Sequence, residues 1–453
     1  MPLVRLLPRL PMAADLATTM PEPSLPEVNS SVRISRSPIY WRRLLGFLGP
    51  GFLISVGYMD PGNWATDIAG GSRFGYTLLS VIMASNLMAI LLQSLSLKLG
   101  IATDRDLAQL CRESTSRWAS FALWIGAEIA IAACDLAEVI GSAIALNLLF
   151  HIPLFWGVLI TGLDVLLILL LQRWGFRYIE ALVIVLIGTI LALFAIQTFL
   201  SHPDYASVLR NLFVPSTAIL RNPAMLYIAI GMLGATVMPH NLYLHSSLVQ
   251  SRRYERTPDG RREALHMANV DSALALTIAL FVNAAILVVA AAVFHRSGHF
   301  EVAAIEDAYK LLSPLLGASG ASTLFAIALL ASGQNSSITG TLAGQVVMEG
   351  FVRIRVKPWL RRLITRSIAI VPTVIVVRFW GEHGTEDLLL WSQVILSLQL
   401  SFAVIPLVLF TSNRKRMGEF VNAPWLKALS WAVAMLIAGL NAWFLVLIAQ
   451  GKA

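Results

Sequence analysis

Along the chain, apolar runs long enough to cross a bilayer alternate with short polar connectors. A helix needs roughly 20 apolar residues to span the hydrocarbon core, and about eleven stretches meet that length. They are 44–70, 75–99, 117–149, 155–172, 178–200, 223–250, 269–294, 318–351, 360–380, 387–411 and 425–449. The pattern predicts an all-α polytopic membrane protein. The runs at 117–149 and 318–351 exceed a straight span, so those helices tilt or project past the bilayer. Two runs are interrupted: Asp60-Pro61-Gly62-Asn63 breaks the first, and Met238-Pro239-His240-Asn241 breaks the sixth. Proline removes a backbone donor, and freed backbone groups at membrane depth are tolerated only where protein or a water-filled cavity satisfies them. Interruptions at matching places in two halves of a chain mark a transporter's binding site. Five spans separate the breaks, so the second set of five enters from the opposite side. The expected organisation is a 5+5 inverted repeat: repeat one at about 44–200, repeat two at about 223–411, and an extra helix at about 425–449.

Composition supports a membrane class. Hydrophobic residues make up 57% of the chain and charged residues 13%, where a soluble domain carries about a quarter charged. Mean hydropathy is +0.72. The net charge of +8 does not point to nucleic acid, because the basic residues concentrate in alternate connectors. Arg42 and Arg43, Arg105 to Arg117, Arg173 and Arg177, the arginine-rich connector 251–266, Arg353 to Arg362 and Arg414 to Arg416 all fall on one side. The positive-inside rule makes that side cytoplasmic and leaves the 202–222 connector as the one weak case. The amino terminus is then inside and the carboxyl terminus outside. Residues 1–36 carry several Pro and Ser without periodicity and read as a disordered cytoplasmic tail, leaving 37–453 as a single transporter domain. Pro8 and Pro11 interrupt its apolar part, which argues against a secretory signal. Short termini and the lack of a large soluble module suit a bacterial inner membrane. Cys111 and Cys134 are the only cysteines, one near a helix end and one inside a span, so no disulfide is expected.

The chemistry concentrates at the breaks. Asp60 and Asn63 flank Pro61-Gly62, and unwinding frees a carbonyl such as that of Gly57, so three oxygens can converge on one cation. A carboxylate at the bilayer midplane is costly and usually functional, which favours this reading over a kinked helix with an ion-paired Asp60. Met238 offers a thioether; soft donors suit transition metals, whereas Mg²⁺ and Ca²⁺ prefer oxygen alone. The carbonyl of Ala235 would complete a mixed shell. A lone methionine in a membrane helix is more often packing; its place beside Pro239, opposite Asp60 in the repeat, is what counts for a ligand. His240 beside such a site is a natural proton acceptor, while His245 reads as a hydrogen-bonded core histidine. Gln393, in the tenth span, either bonds to unwound backbone or reaches the ion. Glu128, Asp135 and Glu138 share one stripe of the third span and read as a proton relay. Arg361 and Arg362, at the start of span nine, are their expected partners. The small polar run Ser332 to Gly344 reads as a place of close helix approach.

Taken in order, Asp60-Pro61-Gly62-Asn63, Asp135-Leu136-Ala137-Glu138, Met238-Pro239-His240 and Gly340-Thr341-Leu342-Ala343-Gly344-Gln345 resemble the Nramp family of proton-coupled divalent metal transporters. Met348-Glu349-Gly350-Phe351, Trp359-Leu360-Arg361-Arg362 and Ser392-Gln393-Val394 extend the resemblance from about residue 44 to the last span. The resemblance implies a LeuT-like fold with helices 1 and 6 broken, and secondary active uptake of Mn²⁺, with Fe²⁺ also carried and Cd²⁺ as a toxic passenger, by proton cotransport. It implies Asp60, Asn63 and Met238 as side-chain ligands, Gly57 and Ala235 as carbonyl ligands, and Gln393 joining in an occluded state. His240, Glu128, Asp135, Glu138, Arg361 and Arg362 would form the proton route. Retention of Asp60, Asn63 and Met238 argues against the Mg²⁺-transporting branch of that superfamily. The expected partners are the metal ion, the proton and the lipid bilayer, and the protein is expected to act as a monomer. Two rivals remain: a LeuT-like symporter of an amino acid or organic cation, and an intramembrane enzyme. The enzyme reading lacks any H-E-x-x-H or G-x-S-x-G run, and no cofactor motif is present.

Overall fold

The computed structural model describes residues 23–26, 28–35, 37–163, 175–302, 304–318, 320–353 and 358–450. The architecture is helical throughout, apart from one two-residue parallel ladder, β1 (Val32–Arg33) with β2 (Arg252–Arg253). The first apolar run folds as three pieces: α1 (Tyr40–Phe47), α2 (Pro50–Gly57) and α3 (Pro61–Phe74). They are followed by α4 (Leu79–Thr103), α5 (Leu107–Ser114), α6 (Arg117–Phe150), α7 (Leu154–Thr161), α8 (Phe176–Leu200) and α9 (Tyr205–Phe213). The sixth run divides into α10 (Pro223–Val237) and α11 (Pro239–Leu248). The remainder is α12 (Pro258–Ala290), α13 (Ile305–Leu316), α14 (Ala321–Val352), α15 (Pro358–Thr411) and α16 (Pro424–Ala449). Among the described residues, seven helical stretches are long and apolar enough to cross a membrane. The expected span at 155–172 runs into residues outside the described ones.

Both breaks fall where the prolines require them. Proline lacks the N–H that an interior helical residue donates four positions back, yet its fixed φ suits the first position of a new helix. Pro61 and Pro239 take that position in α3 and α11. Asp60 caps α3, its Oδ1 accepting from the Asn63 N–H at 2.8 Å. Met238 has no side-chain cap and turns the chain with φ +27°, a conformation that a non-glycine residue adopts only when its surroundings enforce it. Around the breaks, α12 lies along α2, α3 and α4, while α6 packs against α14 and α15. Trp64, fully buried in α3, meets Phe194 of α8 and Phe325 of α14 edge-on, at 4.8 Å and 5.1 Å between ring centroids.

One expectation needs refinement and one correction. Residues 360–380 and 387–411 were expected as two spans; helical backbone continues through the connector between them, from Pro358 to Thr411 over 54 residues, more than twice what one crossing needs, and Gly384–Thr411 alone is long and apolar enough to cross. The polar Gly381–Asp387 stretch contains no proline to end the helix, and the prolines present, Pro372 and Pro406, lie inside it. Of the segment read as a disordered tail, the described residues 23–26 and 28–35 are folded against the bundle. Leu25 is 1% exposed and its N–H donates to Glu349 Oε2 at 2.9 Å. The Ser30 N–H donates to the Gln250 carbonyl at 2.9 Å, just before β1 pairs with β2. Order here comes from partners more than 200 residues away, which a local pattern of Pro and Ser does not reveal.

Candidate ion site at the two helix breaks

Pro61 and Pro239 stand four residues after Gly57 and Ala235. The two carbonyls nominated from the sequence are therefore the ones whose helical donors the prolines abolish. The other freed carbonyls of the first break have found partners. Tyr58 O accepts from Asn283 Nδ2 of α12 at 2.7 Å and also from Asn63 Nδ2. Met59 O accepts from Ser332 Oγ of α14 at 2.5 Å and from Trp64 Nε1 at 3.2 Å. Asn63 thus spends its amide nitrogen on backbone and leaves its oxygen free.

The two breaks face each other. A Cβ added to Gly57 would lie 3.0 Å from Met238 Sδ, and one added to Gly62 would lie 2.9 Å from Gln393 Oε1 of α15. Gln393 Nε2 donates to Ser392 Oγ at 2.8 Å. Of the two readings left open for Gln393, its amide bonds to a neighbouring side chain and its oxygen lies against the first break. Four acceptor oxygens at the breaks, Asp60 Oδ2, Asn63 Oδ1, Asn241 Oδ1 and Gln393 Oε1, are buried with no hydrogen-bond partner among the described residues. Asn283 Oδ1 shares that condition. Buried acceptors are normally paired, so this concentration of oxygen lone pairs lacks a positive counterpart. Asp60, Met238 and Gln393 are 0% exposed and Asn63 is 1% exposed, so the site is closed to solvent. Among the described residues no group of three or more His, Cys, Asp or Glu side chains could hold a metal. The break contributes one carboxylate, and its other potential donors are amide oxygens, carbonyls and a thioether.

Below the break, Gln93 of α4 donates to Tyr58 Oη at 2.8 Å and meets His245 Nδ1 at 2.9 Å. His245 is the hydrogen-bonded core histidine that the sequence suggested. His240, beside Met238, is buried, and its Nδ1 has no partner among the described residues.

The third-span acids divide. Glu138 is fully buried; its Oε1 accepts from Ser336 Oγ at 2.9 Å and from the Cys134 thiol at 3.7 Å. Its Oε2 lies 3.4 Å from Arg366 Nη1, and Arg366 also donates to the Asp135 carbonyl at 3.3 Å. Asp135 and Glu138 both face Gly340 of α14, where an added Cβ would lie 3.1 Å from either carboxylate. Cys134 also packs against Met238, together with Ala130 and Leu396, so α6 touches the ion site and the acids with one turn. Glu128 is half-buried and accepts from Trp124 Nε1 at 3.0 Å. The side chains of Arg361 and Arg362 lie outside the described residues. Arg366, one helical turn beyond Arg362, reaches Glu138 and was not singled out from the sequence; a charge that deep in an apolar span was the available signal. The small-residue run of α14 does bring it close to α6, where a Cβ on Gly333 would meet Ser142 Oγ, and Ser332 and Ser336 on it also bond to Met59 O and Glu138. Both cysteines are buried and free.

Known proteins give the same frame. The family profile described as Nramp, natural resistance-associated macrophage protein-like, matches residues 51–447. The divalent metal cation transporter MntH of Nostoc sp. is 63% identical over 429 residues, covering 94% of this chain and 97% of that protein. The crystal structure of the Eremococcus coleocola manganese transporter, in complex with an aromatic bis-isothiourea substituted compound, superposes with a TM-score of 0.87 at 44% identity. It covers 94% of this chain and 91% of that one. The inward-facing conformation of Mhp1, at 14% identity and a TM-score of 0.57, shares the fold alone, over 89% of this chain and 91% of that one. With its broken helices and this breadth of similarity, the chain belongs to the Nramp family, an integral membrane family of transporters rather than enzymes.

Proposed function

We propose that the protein takes up divalent transition metal ions, Mn²⁺ foremost with Fe²⁺ and Cd²⁺ also carried, by alternating access coupled to proton cotransport. The observation that carries this reading is the set of partnerless buried acceptor oxygens beside a single carboxylate and a thioether. Relatives named as divalent metal cation and manganese transporters support it. Asp60, Asn63 and Met238, with the carbonyls of Gly57 and Ala235, hold the ion, and Gln393 closes over it. One carboxylate leaves a dication under-neutralised, which favours reversible binding over storage. Met238 discriminates against hard ions, because a thioether bonds poorly to Ca²⁺ and Mg²⁺. His240, Glu128, Asp135 and Glu138 carry the proton, with Arg361 and Arg362, whose side chains lie outside the described residues, and Arg366 as their basic partners. The Arg366 guanidinium lies 3.4 Å from Glu138 Oε2 and places a fixed positive charge beside that acid.

The two breaks relate repeat one, at about 44–200, to repeat two, at about 223–411, as inverted halves. The protein acts as a monomer in a bacterial inner membrane, with its amino terminus in the cytoplasm and its carboxyl terminus outside. The test is Mn²⁺ uptake into proteoliposomes under an imposed pH gradient, with Ca²⁺ and Mg²⁺ as competitors. Uptake driven by the gradient and resistant to both competitors is expected. Uptake indifferent to the gradient would remove the proton coupling, and no Mn²⁺ uptake at all would remove the substrate assignment.

A further inference from the structure

The β1–β2 ladder places Arg33 directly opposite Arg253. Register partners in a parallel pair project to the same face, and like charges directly opposite destabilise the pairing. The neighbouring Arg252 is fully satisfied: it is buried, its Nη1 lies 2.8 Å from Glu180 Oε1, and it donates to the carbonyls of Phe47 and Leu48. Arg33 and Arg253 are exposed, and among the described residues neither forms an ion pair. Both line one cavity of about 730 Å³. The other charged groups facing it are Arg43 and Glu263, paired to each other at 2.8 Å, and Glu255. Two arginines held side by side on a backbone ladder, at an energetic cost and without an acid between them, make a cradle for an anion.

The place of the cavity identifies the anion. It adjoins α1, which buries Leu44 and Phe47 while exposing Trp41 (68%) and Leu45 (60%) beside Arg42. A short amphipathic helix with an outward tryptophan and arginines, leading into a membrane helix at Pro50, lies at headgroup depth. We propose that this cavity binds the phosphodiester headgroup of an anionic phospholipid from the leaflet that α1 touches. The phosphate oxygens accept from the guanidinium groups of Arg33 and Arg253, a geometry that arginine suits better than lysine. Bound lipid removes the repulsion across the ladder and so fastens the amino-terminal segment to β2. Because Arg252 of β2 holds the carbonyls at the α1–α2 junction, the lipid also braces the helix that carries the first break.

The test reads lipid binding on the full-length protein and does not depend on which ion is transported. Native mass spectrometry would compare retention of phosphatidylglycerol and phosphatidylcholine. Arg33→Gln with Arg253→Gln is expected to weaken phosphatidylglycerol retention roughly 25-fold, about fivefold for each arginine at an anionic surface, with no change for phosphatidylcholine. Arg33→Lys with Arg253→Lys should keep most of the preference, since the charges remain. If the double variant fails to fold, each single Gln substitution should still show its fivefold loss. A monodisperse Gln variant that retains phosphatidylglycerol like the parent overturns the site. Displacement of the lipid by inorganic phosphate at equal concentration overturns the lipid as its source and leaves a free-anion site.

Discussion

Asp60→Asn isolates the charge at the ion site from everything else the residue does. In the structure Asp60 caps α3 through Oδ1, 2.8 Å from the Asn63 N–H. Asparagine is an equally good cap and has nearly the same volume, so the break keeps its shape. What disappears is the only carboxylate among the groups that converge there, at a position with 0% exposure. A buried charge that loses its partner costs about 3–5 kcal/mol, here borne by the bound dication, which corresponds to roughly 100- to 4,000-fold weaker binding. Asp60→Ala should lose the same affinity and, in addition, about 1 kcal/mol of stability from the missing cap. The assay is Mn²⁺ titration calorimetry on purified protein, followed by uptake in proteoliposomes, with a melting curve for each variant. A well-folded Asp60→Asn protein whose Mn²⁺ affinity stays within about tenfold of the parent, below the smallest loss expected here, would refute the assigned site.

Met238→Leu conserves volume, so it should cost less than about 1.5 kcal/mol of stability while removing the sulfur. Cd²⁺ uptake should fall most, Mn²⁺ uptake modestly, and external Ca²⁺ and Mg²⁺ should become competitors; unchanged selectivity in that competition assay would make Met238 a packing residue. Glu138→Gln keeps the bond from Ser336 but cannot titrate or pair with Arg366, so Mn²⁺ binding should persist while intravesicular acidification during uptake declines. A parental ratio of protons to metal would show that the acid is structural. Outside the spans, burial raises the Asp106 carboxyl to about 6, against the bond from the Gln109 N–H and the nearby Arg112 charge that lower it. Between its ordinary value near 3.8 and about 6 the folded protein holds a proton that the unfolded chain has released, so this group's contribution to stability falls as pH rises through that window. Asp106→Asn retains the helix cap and should flatten the melting temperature across that pH range; an equally steep profile would assign the dependence elsewhere.

What the sequence by itself determined is whatever depends on neighbours along the chain. Proline has no amide hydrogen, so Pro61 and Pro239 must start new helices and must release the carbonyls of Gly57 and Ala235, whatever surrounds them. The soft and hard donors at Asp60, Asn63 and Met238 follow from residue type, and the apolar runs follow from length. Tertiary structure alone decided which distant groups complete these local features. Gln393 lies against Gly62, Ser332 bonds to Met59 O and Asn283 to Tyr58 O, across sequence separations that no periodicity encodes. A helix advances about 1.5 Å per residue, so bringing Arg366 beside Glu138 is a matter of how α15 registers against α6. That register is set by packing and not by composition. The amino-terminal segment makes the same point. Its residues have no pattern of their own, and its order comes from Glu349, Gln250 and β2 on the far side of the sequence.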